Sequence, residues 1–256
     1  MTLPDHGKVN CSRCFSTEKP VFDQSQSGCD KWRLTNNPLS WGAAEPEVIV
    51  LGFSKGPMQA GYLATTPHNE IAFRGGRTQL AKILHHVGLI SEACPQEVSR
   101  LIEDPHGRFH FASLVRCTVE QFEAKTGSWI GTGGGMLDKF ATSETGKKAI
   151  GNCVSEHLAC LPAVTRLVVM LGMGSLGNYI RACRTAFARH RPGTWRDINE
   201  VSYTDGDIVV VHVEHFKSQG ALLPNWLSGE LHPRGRLGLA ARDAVRMSRI
   251  GWLHNA

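Results

Sequence analysis

The sequence predicts an α/β protein, a three-layer α/β/α sandwich built on a mainly parallel four-stranded sheet. Four short apolar segments rich in β-branched residues recur along the chain, at 47–53, 109–115, 166–172 and 207–213. Each is apolar on both faces, as expected for strands buried between two layers of helices. Segments with helical periodicity lie between or after them, and this alternation is typical of a parallel sheet.

The first strand, EVIVLGF, ends at a glycine and is followed by the turn residues that close it. The next three read FHFASLV, RLVVMLG and DIVVVHV. The clearest helix is 77–87, where apolar side chains recur every three or four residues along one face. Three further helices are predicted at 147–161, 176–189 and 239–249.

Composition indicates one globular domain spanning 1–256. The chain is 41% hydrophobic and 20% charged, which provides enough apolar material for a large core. Its apolar runs are far shorter than the about 20 residues that cross a bilayer. The first residues are polar, so we expect no export signal and a cytoplasmic location, nucleoid-associated if the source is bacterial. The net charge of +5 slightly favours anionic partners.

Ligand sites in such sheets lie beyond the carboxyl ends of the strands. The first strand is followed by a turn between Gly52 and Gly56, which could bring backbone N–H groups to an anion or serve only as a turn. Ser113 ends the second strand, four residues before Cys117, and could instead be a core serine. His215 follows the last strand and could orient a ligand, stabilise an anion or be purely structural.

Eight cysteines in a chain without an export signal are expected to be thiols or metal ligands. Cys11 and Cys14 form a CxxC pair, a typical half-site for zinc or an iron–sulfur cluster. A thioredoxin-type redox pair is the competing interpretation. The pair lies in a polar, irregular segment, 1–46, rather than at a helix start after a strand, which favours the metal.

Taken in order from Cys11 to about Leu227, these motifs resemble the uracil-DNA glycosylase superfamily, most closely its iron–sulfur branches, families 4 and 5. The CxxC pair, the glycine-bounded loop, the segment AFRGGRTQL and the strand-end histidine follow the order of that branch. The chain departs from the pattern where it has Phe53 in place of a carboxylate, Ser54 in place of an asparagine, and Ser113 in place of the base-reading asparagine. Of the family's His-Pro-Ser motif only His215 remains.

The resemblance implies a DNA-repair enzyme that hydrolyses the N-glycosidic bond of a deaminated base. It implies that His215 stabilises the leaving base and that Ser54 positions the water, with Glu70 or Glu214 as other acids for that task. The base would contact Gly52, Phe53, Gly56, Phe73 and Ser113. Phosphates would meet basic residues at the mouth of the site, chiefly Lys55, Arg77 and Lys217, with Arg74 and Arg116 nearby. Strict uracil specificity and a fast reaction are not expected, because serine replaces the groups that read the base and position the water.

The same resemblance implies a metal centre held by Cys11, Cys14, Cys117 and Cys153, with Cys29 as an alternative ligand. A [4Fe–4S] cluster is expected there, and zinc is the alternative. The centre would tie the extension 1–46 to the α/β core, and 118–145 would be an inserted loop. Two other functions stay open at this point: a non-catalytic protein that binds damaged or abasic DNA, and a zinc-stabilised α/β protein with no role on DNA.

Overall fold

The computed structural model describes residues 2–16, 19–29, 31–131, 136–174 and 177–250. The strands are β1 Gly7–Lys8, β2 Gln26–Cys29, β3 Trp32–Thr35, β4 Leu39–Gly42, β5 Val48–Gly52, β6 Phe109–Ser113, β7 Thr118–Glu123, β8 Ser128–Gly131, β9 Leu167–Leu171, β10 Arg196–Asn199, β11 Ser202–Thr204 and β12 Val209–Val213. The α-helices are α1 Pro57–Gly61, α2 His68–Ile71, α3 Arg77–His86, α4 Pro95–Glu103, α5 Met136–Thr142, α6 Glu144–His157, α7 Asn178–His190, α8 Leu222–Leu227 and α9 Pro233–Met247.

The prediction of a mainly parallel four-stranded sheet is wrong. The main sheet has eight strands in the order β1-β4-β6-β5-β9-β12-β11-β10. The four strands expected from sequence are its centre, β6-β5-β9-β12, and they are parallel to one another. Antiparallel strands extend this centre on both sides, so the sheet is mixed. The added strands are only two to four residues long, too short for an alternating pattern to stand out in the sequence.

A separate antiparallel sheet, β2-β3-β7-β8, was also not expected. It joins the N-terminal extension to the segment predicted as an inserted loop, because Leu34 of β3 pairs with Val119 of β7. Trp32 of this sheet packs edge-on against Phe140 of α5 at 5.0 Å. Segment 1–46 thus contains regular structure, and 118–145 contains two strands and a helix. The glycine-rich run expected as a mobile loop begins in β8, and its residues 132–135 lie outside the described part of the chain.

Helices cover both faces of the central strands. On one face, Val50 and Val169 share a hydrophobic core with side chains of α3, α4, α8 and α9. On the other, Leu51 and Met170 share a core with side chains of α5, α6 and α7. Burial on both faces explains why these strands are continuous apolar runs. No helix in the described part of the chain is both long and apolar enough to cross a membrane.

Two helices begin earlier than their apolar periodicity suggests. Helix α6 was expected from 147 but begins at Glu144, because the Ser143 hydroxyl accepts a hydrogen bond from the Gly146 N–H at 3.0 Å. Helix α9 was expected from 239 but begins at Pro233, a residue suited to the first turn of a helix. The cap, and not the apolar face, therefore determines where these helices start.

Two histidines are completely buried in the central strands. The His110 Nδ1–H donates to the Ala43 carbonyl at 2.8 Å. Burial, assisted by Arg116, lowers the pKa of His110 to about 3. His212 lies within hydrogen-bonding distance of the Gly172 carbonyl, at 3.1 Å, and burial lowers its pKa to about 4. Both rings are therefore neutral at pH 7.

This burial predicts a loss of stability in acid. The folded pKa of His212 is below the unfolded value of about 6.5, so between the two values the unfolded chain binds the extra proton. The stabilisation is complete above about pH 6.5 and is lost as the pH falls toward 4. Urea unfolding between pH 4.5 and 6 should show the free energy of unfolding falling with pH, and His212→Gln should reduce that slope by about 1.4 kcal/mol per pH unit. The exposed His106→Gln is the control, and an unchanged slope in His212→Gln would contradict this origin.

Candidate active site and cysteine centre

The carboxyl ends of β5, β6 and β12 bring three predicted loops to one edge of the sheet. Gly52 pairs directly with Ser113, and the Ser113 hydroxyl faces the space above that glycine. The pairing continues past the strands, because the Leu114 N–H donates to the Gly52 carbonyl at 2.7 Å. Across the sheet, the Gly172 N–H donates to the Val213 carbonyl at 2.9 Å. The edge is therefore an ordered rim of backbone from which the loops project.

His215 projects from this rim as a neutral hydrogen-bond donor. Burial lowers its pKa to about 4, with Glu214 raising and Lys217 lowering it. The backbone N–H of Lys217 donates to Nδ1 at 3.1 Å, so the proton of the neutral ring is on Nε2. No hydrogen-bond partner of Nε2 is found in the described part of the chain. This tautomer is ready to donate to an oxygen that gains negative charge.

Glu214 positions the His215 loop and is not free to activate water. Its carboxylate is 3% exposed and accepts from the His215 N–H at 3.0 Å and from the Ser218 hydroxyl. The same carboxylate forms an ion pair with Arg234, whose Nε lies 2.6 Å away. Both carboxylate oxygens of Glu214 therefore already accept hydrogen bonds from the protein. Glu70, the other acid considered for the water, is exposed at helix α2.

The strand-end loop, residues 52–56, alternates between buried and accessible side chains. Phe53 was expected to line the base site, but its ring packs edge-on against Phe140 at 5.4 Å and Tyr179 at 5.6 Å, in the core below the rim. Ser54 is half-buried and has an interaction within the fold. Gly56 borders open space, since a Cβ there would meet no atom within 4 Å. The loop thus offers backbone and Ser54 to a ligand, whereas Phe53 serves the core.

Phe73 lies next to the histidine loop but is 6% exposed. Its ring packs edge-on against Phe111 at 5.9 Å and Phe216 at 5.3 Å. Phe216 in turn lies 4.4 Å from the His215 ring, measured between centroids. Phe73 also has a φ of 52°, a left-handed conformation that costs a bulky residue free energy and occurs often at functional sites. Stacking on a base would require this ring to be uncovered, so the packed arrangement departs from its expected role.

The predicted phosphate contacts separate into free and engaged side chains. Lys217 is exposed, with its ammonium 5.9 Å from the Phe216 ring centre. The Arg77 guanidinium is instead engaged within the fold. It donates to the Ala72 carbonyl at 3.1 Å, to the Ser99 hydroxyl at 2.7 Å and to the Asn69 carbonyl. Lys55 is buried and cannot reach a phosphate. Of the three chief phosphate contacts expected from the sequence, only Lys217 is exposed and not engaged by the fold.

The four cysteines predicted as ligands, which we call the cysteine centre, lie near enough to one another to influence each other's ionisation. Burial is the main reason that the pKa of Cys153 lies well above its ordinary value, and Cys14, Cys117 and Cys11 raise it further. Burial likewise raises the pKa of Cys117 to about 12, with contributions from Cys14 and Cys11. Cys29, the alternative ligand, is exposed on β2.

The surroundings of these sulfurs partly favour their thiolate forms. The Asn37 backbone lowers the pKa of Cys117 and the Arg116 backbone lowers that of Cys153, each against the larger raising effect of burial. The side-chain amide of Asn152 donates to the Cys14 Sγ at 3.4 Å. Such donors stabilise thiolates and are among the features that tune iron–sulfur clusters.

The sulfurs of the cysteine centre do not form the close group that a zinc site requires. Tetrahedral zinc with Zn–S bonds of about 2.3 Å holds its sulfurs about 3.8 Å apart. No three sulfurs of the cysteine centre lie within 4.8 Å of one another. Within the described residues, the three ligand atoms that do lie so close belong to Glu92, Cys94 and Glu97, a surface group at the start of α4. The sulfurs of the cysteine centre are therefore not gathered into a tetrahedral zinc site.

Two buried cations accompany the cysteine centre, and sequence reasoning missed their role. Lys55 and Arg116 are each 2% exposed. The Lys55 ammonium donates to the Arg116 carbonyl, and no carboxylate of the described residues forms an ion pair with either cation. Burial lowers the pKa of Lys55 to about 8, and Cys117 opposes this shift. A cysteine centre holding a metal would supply the missing negative charge, so the charge balance fits such a group.

Comparison with protein-family models finds none that matches this chain, and comparison with curated proteins finds none either. The interpretation of the site therefore depends on its own geometry and chemistry.

Proposed function

We propose that this protein is a DNA glycosylase that hydrolyses the N-glycosidic bond of a deaminated base, uracil or a related lesion. The observation that carries the proposal is the neutral His215 at the rim of the sheet, whose Nδ1 accepts the Lys217 N–H so that its proton is on Nε2. When the bond between sugar and base breaks, the base leaves with negative charge on its oxygens. A preorganised donor aimed at that charge typically accounts for a large share of the rate.

The same edge of the sheet provides groups that could bind the flipped base, but only a weak group to position the attacking water. The base has to leave the stack and enter the site, at a cost of a few kcal/mol. The backbone of loop 52–56 and the hydroxyl of Ser113 are the groups available to contact it. For the attacking water the loop provides only the Ser54 hydroxyl, because Glu214 is fully engaged. We therefore expect slow excision.

We further propose that Cys11, Cys14, Cys117 and Cys153 hold a [4Fe–4S] cluster, with zinc as the alternative. The two buried cations beside the cysteines, Lys55 and Arg116, and the Asn152 amide that donates to the Cys14 Sγ support a bound anionic group of this kind. When bound, the group would supply a crosslink between the N-terminal extension and helix α6, which carries Cys153. The chain's own residues would do the base chemistry. The corresponding location is cytoplasmic, on the nucleoid if the source is bacterial.

A second candidate, binding of damaged or abasic DNA without excision, is favoured by one observation. The carboxylate next to His215 is saturated with hydrogen bonds, and the Phe73 ring that would stack on a base is covered by Phe216. A site without a free base or an open stacking ring can bind DNA but activates water poorly.

An excision assay distinguishes the two candidates. Oligonucleotides containing uracil, hypoxanthine or xanthine, single- and double-stranded, are incubated with the protein and then cleaved with alkali at abasic positions. Slow scission at one of these lesions is the expected result. Retained binding to an abasic duplex with no scission of any substrate would favour the binding function, and loss of both would remove the role on DNA.

Binding to DNA should depend on salt and on Lys217. Phosphate contacts release counterions, so the affinity should fall steeply between 50 and 200 mM salt, conditions over which six to ten contacts lose about 10³–10⁵. Lys217→Glu should weaken binding and reduce the salt dependence, because its ammonium is exposed beside His215. The exposed Lys139→Glu on α5 is the control. Equal effects of Lys217→Glu and Lys139→Glu on DNA affinity would contradict a DNA contact at Lys217. Arg77→Glu is expected to destabilise the fold, because its guanidinium is engaged within it.

Specificity should respond to Ser113. Its hydroxyl makes fewer simultaneous hydrogen bonds than an asparagine amide, which can contact a base at two points. Ser113→Asn should therefore sharpen the preference for uracil over hypoxanthine by about 1–3 kcal/mol. Single-turnover excision of the two lesions measures this ratio, with Ser113→Thr as a control that keeps one hydroxyl. An unchanged ratio in Ser113→Asn would mean that this position does not contact the base.

A further inference from the structure

Lys55 anchors the middle of loop 52–56 to the chain segment that carries a metal ligand. Its backbone bridges to Thr118, and its ammonium donates to the Arg116 carbonyl. These two contacts flank Cys117 in sequence. The neighbouring Ser54 and Gly56 are only half-buried, so Lys55 is the point where this loop enters the interior.

The charge on Lys55 has no protein carboxylate to balance it in the described part of the chain. Cys117 and Cys153 lie close enough to Lys55 to oppose the burial that lowers its pKa, whereas Arg116 adds to the lowering. Arg116 adds a second buried cation, which also interacts with Cys153 and Cys11. Two like charges therefore lie together, and the sulfurs of the cysteine centre are the groups beside them that can become anionic.

Whether Lys55 and Arg116 are attracted to the cysteine centre depends on whether its cysteines bind a metal. A thiol carries no charge, whereas a cysteine bound to a metal is a thiolate. With thiolates in place, both cations are attracted to the centre and loop 52–56 is held inward. With thiols, the hydrogen bond to the Arg116 carbonyl remains, but no negative charge offsets the repulsion between the Lys55 and Arg116 side chains, which opposes the inward position.

We propose that Lys55 is a positioning residue that couples occupancy of the cysteine centre to the conformation of loop 52–56. The inference rests on the proposed metal site and on the ligand-facing role given to the loop in the proposed function. Loss of the metal then opens the loop at the rim, although no metal ligand belongs to that loop. The substitution that tests this is Lys55→Met, which keeps the length of the side chain and removes its charge. Lys82→Met, on an exposed position of α3, is the matched control.

The experiment measures amide hydrogen exchange in 52–58 before and after chelation of iron from protein reconstituted with ferrous iron and sulfide. In wild type and Lys82→Met, iron removal should speed exchange about fivefold or more, the usual size of coupling between sites. In Lys55→Met the loop should exchange fast already, with little further change on chelation. An equal increase in exchange on iron removal in Lys55→Met and in wild type would overturn the proposal. It would also be overturned if exchange in the wild-type loop did not change on iron removal, or if the protein took up no iron.

The reduction potential of the cluster gives a readout that a purely structural role would not move. Removing a nearby positive charge disfavours the more negative, reduced state, so Lys55→Met should shift the potential to more negative values. Lys55→Arg keeps the charge and should retain the wild-type reduction potential and the wild-type exchange rate of loop 52–56. If Lys55→Met fails to fold, Lys55→Arg and the chelation of wild-type protein still test whether the loop responds to the metal. An unshifted potential in a folded Lys55→Met would overturn the electrostatic coupling. Persistent coupling in a protein that excises no base would sustain this inference while removing the proposed reaction.

Discussion

Replacing His215 with alanine is expected to slow base excision by about a hundred- to a thousandfold, the usual loss when one donor to a developing anion is removed. Binding to DNA should survive, because phosphate contacts are made by other side chains. Single-turnover excision and equilibrium binding, measured on the same lesion-bearing oligonucleotide, separate the two effects. Wild-type rates in His215→Ala would place the active site elsewhere.

The pH profile provides a second check on the same residue. Below a pH of about 4 the ring takes up a proton at Nδ1 and can no longer accept the Lys217 N–H that orients it. The excision rate should therefore be insensitive to this ring from about pH 8 to about pH 5 and decline as the pH approaches its pKa. His215→Gln retains a donor and should lose less activity than His215→Ala. His106→Ala, at an exposed position in the turn before β6, is the control for loss of a histidine outside the site.

Replacing Cys153 with serine is expected to abolish metal binding and to destabilise the fold. Serine is a poor ligand for iron or zinc, and without thiolates the buried Lys55 and Arg116 charges lose their counter-charge. Breaking a buried charge arrangement by removing one partner typically costs about 3–5 kcal/mol in free energy of unfolding. Metal analysis, absorption of the reconstituted protein near about 400 nm for iron–sulfur and urea unfolding measure the effects.

The exposed Cys160→Ser is the matched control for Cys153→Ser, since both positions lie near the C-terminal part of α6. Cys117→Ser should lose metal and stability as Cys153→Ser does. Cys29→Ser should keep both, as the control does. A colourless protein with one zinc per chain would exclude iron–sulfur and retain the ligand set. Unchanged unfolding after substitution of all four ligands would exclude both metals.

The central architecture could be predicted because its signals are local. The four parallel strands at the centre of the sheet coincide with the β-branched runs, and α3 begins where its periodicity does, at Arg77. Prediction failed for the outer strands and for the antiparallel sheet. Those strands are short and half polar, and they exist because remote segments pair, as Leu34 does with Val119.

For the site, sequence order placed His215, Gly52 and Ser113 on one rim, because the carboxyl ends of parallel strands meet at one edge. The direction of each side chain could not be predicted in the same way. Phe53 and Lys55 alternate inward around Ser54 and were both assigned to the ligand, yet one packs on Tyr179 and the other reaches Arg116.

The sequence by itself determined the four parallel central strands and the start of α3, since β-branched runs and helical periodicity act over neighbouring residues. Only the tertiary structure decided which residues are free to meet a ligand. Glu214 is engaged because Arg234 lies across from it, and Lys55 is buried because Arg116 and the cysteine centre surround it. Burial and charge pairing depend on partners far away in the chain, and no local pattern records them.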